Sequence, residues 1–298
     1  MLTILGPTAS GKTALAARLA IDIDAEIISA DSRQVFRGMD IGTGKDLADY
    51  TVGLRTVPHH LIDIVQPGEP YNLFRFKQDC QAALNDIHQR GHKAILCGGT
   101  GMYIEAILRD FPLQPVPPNP QLRRQLQGMT LPQLRQLLAT YKSLHNTTDT
   151  DTIPRAVRAI EIAQAGAANP APQPAPKPSL VVGLALPREE RRRRISQRLD
   201  DRLHQGLVGE VEGLLSQGIS PHVLLRYGLE YKFVTLHLLG QLTREQMRQQ
   251  LEIAIHQYAK RQMTWFRGME RRGITIHWID ALAPMEEKTQ RVEALLSQ

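Results

Sequence analysis

The chain has 298 residues, of which 42% are hydrophobic and 22% charged, as in an ordinary globular protein. Its formal net charge of +6 suits a polyanionic partner, because Lys and Arg attract phosphates, although many basic enzymes bind no nucleic acid. Two cysteines without a CxxC spacing exclude a disulfide framework, and no apolar stretch is long enough to span a membrane or forms a signal peptide after Met1, so we expect a cytoplasmic protein.

The first third of the chain alternates buried strands with amphipathic helices. In chain order we predict a strand at residues 2–5, a helix at 13–21, a strand at 25–31, a helix at 72–90, a strand at 93–97 and a helix at 103–109. This alternation is typical of a parallel sheet with helices on its faces. The sequence therefore predicts an α/β fold.

The rest of the chain is mainly helical, with proline-rich breaks at residues 111–120 and 169–179, the second a semi-rigid spacer. The further predicted elements are helices at residues 121–141, 153–164, 188–216 and 244–263, and strands at 180–186 and 274–279. We therefore predict an α/β core of residues 1–112, 178–198 and 274–298. Mostly helical inserted material would occupy residues 113–177 and 199–273.

A phosphate-binding motif lies between the first strand and the first helix. The segment GPTASGKT matches GxxxxGK[ST] in the strand-to-helix context that the motif requires, which disfavours a chance glycine-rich turn. Backbone N–H groups and the helix N-terminus bind phosphate oxygens, Lys12 neutralises a terminal phosphate, and Thr13 can ligate Mg²⁺. This predicts a P-loop NTPase-like sheet whose phosphate loop comprises Gly6, Pro7, Thr8, Ala9, Ser10, Gly11, Lys12 and Thr13.

The motif alone does not define the reaction. An ordinary P-loop NTPase has a strand that ends in Asp near the magnesium ion, whereas the third strand here leads into Gly98, Gly99 and Thr100. The second strand does end in a carboxylate, Asp31, where ligands bind in open α/β sheets. From its position, Asp31 is equally a cap for the following turn or a functional carboxylate.

At this point the chain resembles the tRNA dimethylallyltransferase (tRNA isopentenyltransferase) family. Motifs that match this family follow one another in the family's order over nearly the whole chain. They are GPTASGKT at residues 6–13, ADS at 30–32, GMDIGTGK at 38–45, PHHLIDI at 58–64, GGTGMY at 98–103, RAVRAIE at 155–161, RISQR at 194–198 and AKRQMTWFRG at 259–268. The ordered set, rather than any one motif besides the phosphate loop, is specific.

The resemblance implies transfer of a dimethylallyl group from dimethylallyl diphosphate to N6 of the adenosine 3′ to the anticodon. It assigns Asp31 as the base for the N6 proton, Thr8 as a contact to the bridging region of the diphosphate, and Arg198 as a phosphate clamp. Arg194, in the first turns of a helix that follows a core strand, is expected beside the phosphates as well. Family positions near the tRNA match Asp31, Ser32, Arg33, Gln34, Thr100, Pro154, Arg155, Ala156, Val157 and Arg158.

Two departures from the family pattern limit this transfer of roles. His256 stands where the family usually has Arg, and imidazole supplies a hydrogen bond but not a permanent charge. Residues 225–233, LRYGLEYKF, also differ from the common form, so tRNA contacts of residues 226–231 are not carried over.

Three other functions remain open: prenylation of free adenine nucleotides, a small-molecule kinase, and an RNA-binding protein with an unused phosphate loop. The intact Lys12, Thr13 and Asp31 disfavour the last of these, and two basic clusters after Arg188 favour a large acceptor over a free nucleotide. The expected partners are Mg²⁺, dimethylallyl diphosphate and the anticodon stem-loop of tRNA. We expect a monomer that does not associate with membranes.

Overall fold

The computed structural model describes residues 1–113, 116–141, 144, 150–166 and 178–297. The chain divides into two compact units, the first formed by Met1–Asp110 with Ala175–Gln298 and the second by Phe111–Pro174. Most of the predicted proline-rich spacer, residues 169–177, lies outside the described residues. Across the part of the chain that is described, no helix is both long and apolar enough to cross a membrane.

The first unit is built on a six-stranded parallel sheet. The strands in chain order are β1 Leu2–Leu5, β2 Ala25–Ser29, β3 Thr51–Val52, β4 Arg55–Thr56, β5 His59–His60, β6 Lys93–Gly98, β7 Leu180–Ala185 and β8 His277–Asp280. Their order across the sheet is β5-β2-β6-β1-β7-β8, while β3 and β4 pair separately as an antiparallel hairpin. Because all six strands are parallel, their carboxyl ends form one edge of the sheet, where ligands bind in such folds.

Helices make up most of the remaining described structure. They are α1 Lys12–Asp22, α2 Leu73–Gln89, α3 Gly101–Leu108, α4 Pro120–Gln125, α5 Leu131–Tyr141, α6 Ile153–Gly166, α7 Arg188–His204, α8 Leu207–Ser216, α9 Pro221–Leu224, α10 Leu229–Leu238, α11 Arg244–Arg271 and α12 Met285–Leu296. Helices α4, α5 and α6 belong to the second unit.

Two apolar layers cover the two faces of the sheet. Successive side chains of a strand point to opposite faces, so Ile4 joins the layer that contains α1, and Leu5 joins the layer that contains α2 and α3. Phe266 of α11 is fully buried in the second layer. A third core joins α7, α8, α10 and α11 to residues that follow β2, such as Phe36.

The predicted α/β architecture with a parallel sheet is confirmed, and the differences lie at glycines and sheet edges. The predicted helix at residues 188–216 is interrupted at Gly206, whose φ of 102° ends α7 and begins α8. The helix predicted at 121–141 is interrupted in the same way near Gly128, with a φ of 85°. Glycine adopts this left-handed conformation without the steric cost of a Cβ atom. The apolar periodicity continues on both sides of each glycine and therefore does not reveal the break.

The edge of the sheet also differs from the sequence prediction. The last strand begins at His277 rather than at residue 274, and the hairpin of β3 and β4 together with the edge strand β5 was not predicted. These strands are two residues long, too short for an alternating pattern to be recognised in sequence.

The second unit has its own small core, where Leu122, Leu134, Leu138 and Ile160 are buried. Residues 199–273 group with the first unit, and their role as inserted tRNA-binding material stays a prediction. They group with this unit because α11 contributes Phe266 to the core beneath the sheet.

Candidate active site

The phosphate loop, residues 6–13, connects the carboxyl end of β1 to α1. Ala9 and Gly11 take left-handed conformations with φ of 63° and 79°, which turn the backbone around the loop. Gly11 is the N-cap of α1 and provides no side-chain capping bond, so the first amides of the helix remain for a ligand. A Cβ at Gly6 would lie 2.6 Å from Ser10 Oγ, and the loop is therefore closed too tightly for a larger residue there.

The buried Lys12 side chain interacts electrostatically with several other groups of the site. Burial lowers its pKa, the carboxylates of Asp31 and Asp46 raise it, and the Arg198 guanidinium lowers it. These opposing effects place two acidic and two basic side chains within electrostatic reach of one another. Asp31 and Arg198 therefore both act electrostatically on Lys12, and the roles assigned to these three residues stay predictions.

Gln262 of α11 connects the phosphate loop to the loop after β6. Its Oε1 accepts a hydrogen bond from the Thr8 N–H at 2.9 Å, and its Nε2 donates to the Gly99 carbonyl at 2.9 Å. A Cβ at Gly99 would lie 2.5 Å from that Nε2, so a glycine is needed for the contact. Gln262 lies within the motif AKRQMTWFRG, but its spacing there indicates no role.

Asp31 follows β2 at the same edge of the sheet. Its Oδ1 accepts a hydrogen bond from the Arg33 N–H at 2.9 Å, so the predicted turn-capping contact is present. Within the described residues no hydrogen bond reaches its Oδ2, so this oxygen is available to a substrate. The neighbouring Ser32 N–H donates to Thr100 Oγ1 at 3.1 Å, which brings together three of the positions assigned to tRNA.

Gln34, another position assigned to tRNA, is buried. Its Oε1 accepts a hydrogen bond from Ser29 Oγ at 2.8 Å, and its Nε2 donates to the Gly44 carbonyl at 3.0 Å. The side chain therefore supports the loop that contains Gly44, and its contact with tRNA stays a prediction. Arg33 remains half-buried on the same turn.

Residues 38–46, which we call the clamp loop, are held at one end by Lys45. This side chain is 1% exposed and donates to the Phe36 carbonyl at 2.8 Å, to Asp40 Oδ1 at 2.5 Å and to Asp63 Oδ1. An ammonium group has three N–H donors, so all of them are used.

Glu210 of α8 holds the other end of the clamp loop. Its carboxylate accepts from the backbone N–H groups of Asp40, Ile41 and Gly42 at 2.8, 2.7 and 3.0 Å, and from Tyr231 Oη at 2.6 Å. Four hydrogen bonds to one ionised group form a strong anchor. No motif in the sequence indicated that Glu210 or Tyr231 would support the site.

Two arginines of α7 contact the clamp loop at Gly44. Arg198 forms an ion pair with Asp46, and Arg202, which is buried, pairs with Glu230 at 3.3 Å. A Cβ at Gly44 would lie 2.7 Å from Arg198 Nη2 and still closer to the Arg202 guanidinium. Only a glycine admits both side chains at this point, which gives a physical reason for the last glycine of GMDIGTGK.

Arg194 and His256 make local contacts in the structure. Arg194 Nε donates to Glu190 Oε1 at 2.8 Å on its own helix, and its charge acts on Lys288. His256 Nε2 lies 3.7 Å from Glu252 Oε1, and burial followed by the Arg192 charge lowers its pKa. The phosphate contact assigned to Arg194 stays a prediction.

The remaining positions assigned to tRNA, residues 154–158, lie on α6 of the second unit. Arg155 forms an ion pair with Asp151 at 2.5 Å, and Arg158 Nη1 donates to Glu161 Oε2 at 2.9 Å. Ala156 is buried in the core of this unit, whereas Pro154 and Val157 line a cavity of about 570 Å³. The tRNA contacts of these residues stay predictions.

The residues at the phosphate loop fit a magnesium ion bound together with a phosphorylated substrate. Mg²⁺ prefers oxygen ligands and is commonly held by few protein groups, several waters and substrate phosphates. The described residues contain no cluster of three or more His, Cys, Asp or Glu side chains that could hold a metal ion alone. The Thr13 hydroxyl at the start of α1 suits a Mg²⁺ site in which waters and substrate phosphates supply most of the ligands.

Comparison with known proteins identifies the family. Residues 34–269 match the family described as IPP transferase, and residues 1–58 match one described as isopentenyl transferase. A "tRNA dimethylallyltransferase 2" of Porphyromonas gingivalis is 58% identical over 99% of this chain and 98% of its own. A "tRNA dimethylallyltransferase 1" of Parabacteroides distasonis is 56% identical over 100% of this chain and 97% of its own.

A solved structure supports the same assignment. The full-length tRNA isopentenylpyrophosphate transferase of Bacillus halodurans superimposes with a TM-score of 0.72 at 29% identity. The match covers 99% of this chain and 95% of that one. With the matched family spanning most of the sequence and relatives above half identity along its whole length, the chain belongs to the tRNA dimethylallyltransferase (IPP transferase) family.

Proposed function

We propose that the protein transfers a dimethylallyl group from dimethylallyl diphosphate to N6 of the adenosine 3′ to the anticodon of tRNA. The observation that carries this proposal is the position of Asp31, a carboxylate at the edge of the sheet that acts on the phosphate-loop Lys12. A base and a diphosphate-binding loop are thereby combined in one site. Relatives named tRNA dimethylallyltransferase over the full length of the chain support the same acceptor.

The donor half of the reaction uses the phosphate loop. The bond between C1 of the dimethylallyl group and the bridging oxygen breaks, and the diphosphate leaves with the bonding electrons. Backbone amides of the loop, Lys12 and Arg198 stabilise this charge, as preorganised donors do for a leaving anion. A bound Mg²⁺ would neutralise part of the same charge, with Thr13 as its protein ligand.

The acceptor half uses Asp31. The adenine N6 forms a bond to C1 and must lose a proton, which Asp31 Oδ2 accepts as a general base. The Thr100 and Ser32 side chains lie next to this carboxylate, where they can orient a base that has left its stack. The proposed setting is a monomer in the cytoplasm, which the two buried, unpaired cysteines suit.

The function is tested by product identification. The purified full chain is incubated with unmodified tRNA, dimethylallyl diphosphate and Mg²⁺, and the tRNA is digested and analysed by mass spectrometry. We expect one adenosine, 3′ to the anticodon, to gain one C₅H₈ unit. Faster turnover of AMP than of tRNA would instead indicate a free-nucleotide prenyltransferase, and phosphate transfer from ATP without prenylation would indicate a kinase.

The role of Asp31 is tested by Asp31→Asn, which preserves size and turn capping but cannot accept the proton. Loss of a general base costs about 10²–10⁴-fold in rate, so single turnover should slow by that factor while tRNA still binds. A near-normal rate would leave Asp31 only the capping role. A defect that shrinks as Mg²⁺ is raised would assign the carboxylate to the metal instead.

A further inference from the structure

We propose that Asp46 is the resting counter-ion of Arg198 and competes with the diphosphate for this guanidinium. The inference rests on the proposed function, in which Arg198 binds the diphosphate. Arg198 and Asp46 are 152 positions apart in the chain and form an ion pair beside the phosphate loop. The charges of both residues act on Lys12, so the pair lies within electrostatic range of the phosphate loop.

The position of Asp46 is set by its surroundings. It directly follows the buried Lys45, whose three N–H donors are used by the Phe36 carbonyl, Asp40 and Asp63. Its φ of 44° lies in the left-handed region, which a non-glycine residue adopts at a cost. It is also the N-cap of the short 3₁₀ helix Leu47–Tyr50, but its side chain makes no capping bond and pairs with Arg198 instead.

Arg198, rather than Asp46, is the member of the ion pair that can change position. Arg198 reaches the clamp loop with a long side chain that passes over Gly44, and the pair uses only its Nη2 atom. A guanidinium has five N–H donors and binds phosphate oxygens with two of them at once. A diphosphate can therefore attract Arg198 away from Asp46 without any movement of the anchored loop.

A carboxylate in this position weakens the binding of a polyanion. It neutralises Arg198, a cation that binds the diphosphate. It also repels the diphosphate directly, because solvent screens charges less in a partly buried site. The same carboxylate recaptures Arg198 when the product diphosphate leaves. Asp46 would thus lower the affinity for donor and for product, and would favour product release.

The direct test measures binding of inorganic pyrophosphate by calorimetry, with the full chain at constant Mg²⁺ and without tRNA. Asp46→Asn removes the charge and keeps a residue type that tolerates the left-handed conformation. We expect about threefold to tenfold tighter binding, the range for a partly exposed ion pair near other charges. Asp22→Asn is the matched control, because it removes an arginine-paired carboxylate of α1 and should leave the affinity unchanged.

A double-mutant cycle with Arg198→Ala separates competition for Arg198 from a general effect of charge. If Asp46 acts through Arg198, Asp46→Asn should tighten binding much less when Arg198 is absent. An equal gain in both backgrounds would overturn the proposal. Unchanged binding in Asp46→Asn, or weaker binding that extra Mg²⁺ restores, would also overturn it, the latter by assigning Asp46 to the cation.

These measurements do not depend on the prenyl acceptor. If the chain failed to modify tRNA, the proposed function would fail, but tighter pyrophosphate binding by Asp46→Asn that requires Arg198 would still support the counter-ion role. If the chain modified tRNA and Asp46→Asn bound pyrophosphate no more tightly, only the counter-ion role would fail.

Discussion

The phosphate loop and the clamp loop lie in the same site but are held in place differently. The phosphate loop takes its shape from its own backbone, with left-handed conformations at Ala9 and Gly11 between a buried strand and a helix. The clamp loop depends on distant side chains, chiefly Glu210, which is 168 to 170 positions away from the amides that it binds.

This difference separates two ways of building a ligand site. A loop whose shape depends on its own residues is recognisable as a sequence motif, because the spacing of those residues determines the backbone conformation. A loop that is held by remote helices is only as rigid as their packing, and substitutions far away in sequence can loosen it. Gln262 shows that the phosphate loop is not wholly independent, because the Thr8 N–H donates to this residue of α11.

Among the variants that compare the two loops, the largest effect is expected in the phosphate loop. Lys12→Ala removes the cation that neutralises the diphosphate, and we expect kcat/KM for prenyl transfer to fall about 10²–10³-fold, as for loss of one preorganised donor. Steady-state kinetics with dimethylallyl diphosphate measure this. Lys93→Ala, at the exposed amino end of β6, is the control and should keep the wild-type rate. A wild-type rate for Lys12→Ala would contradict the assignment of Lys12 as a ligand of the diphosphate.

Glu210→Ala should disrupt the clamp loop without touching the phosphate loop. It removes the acceptor of four hydrogen bonds and leaves the buried Tyr231 hydroxyl without its partner, at a cost of about 2–4 kcal/mol in unfolding free energy. Chemical denaturation measures the loss, and pyrophosphate binding reports on Arg198. Glu212→Ala, an exposed change on the same helix, should cost less than about 0.5 kcal/mol. Equal stability of the two variants would contradict the anchoring role of Glu210.

Gln262→Leu tests whether the phosphate loop needs its contact with α11. The change leaves the Thr8 N–H and the Gly99 carbonyl without their partner, each worth about 1–3 kcal/mol if it stays buried and unpaired. We expect weaker pyrophosphate binding, measured by calorimetry, and a smaller loss than in Lys12→Ala. Gln250→Leu, exposed on α11, serves as the control. Unchanged affinity would mean that the loop holds its shape alone.

The smallest expected effect is the pH dependence of donor binding. Burial lowers the pKa of Lys12 below its ordinary value of 10.5, so the lysine loses its charge at a lower pH than an exposed lysine does. Affinity for dimethylallyl diphosphate should therefore fall as pH rises, beginning below pH 10.5, once the donor itself is fully ionised. Binding by Lys12→Ala should lack this alkaline fall. A wild-type affinity that stays constant up to pH 10.5 would contradict the lowered pKa.

Much of the site could be predicted from the sequence because its main groups follow strands. The alternation of strands and helices predicted a parallel sheet, in which the carboxyl ends of the strands lie at one edge. That edge carries Lys12 after β1, Asp31 after β2 and Thr100 after β6. Gln34 could not be interpreted in this way. Its position after Asp31 predicts a contact with tRNA, and the structure shows in addition that its amide joins Ser29 to Gly44.

Four features could be recognised in the sequence: the α/β class, the phosphate loop, the carboxylate at the end of β2 and the family resemblance. Each of these depends on residues close together in the chain, where hydrophobic periodicity and motif spacing act directly. Other features become visible only in the folded chain: Lys45 and Glu210 anchor the clamp loop, Gln262 joins two loops, and Asp46 pairs with Arg198. Such contacts join residues that are brought together by helix packing, and no local pattern encodes which side chains will meet.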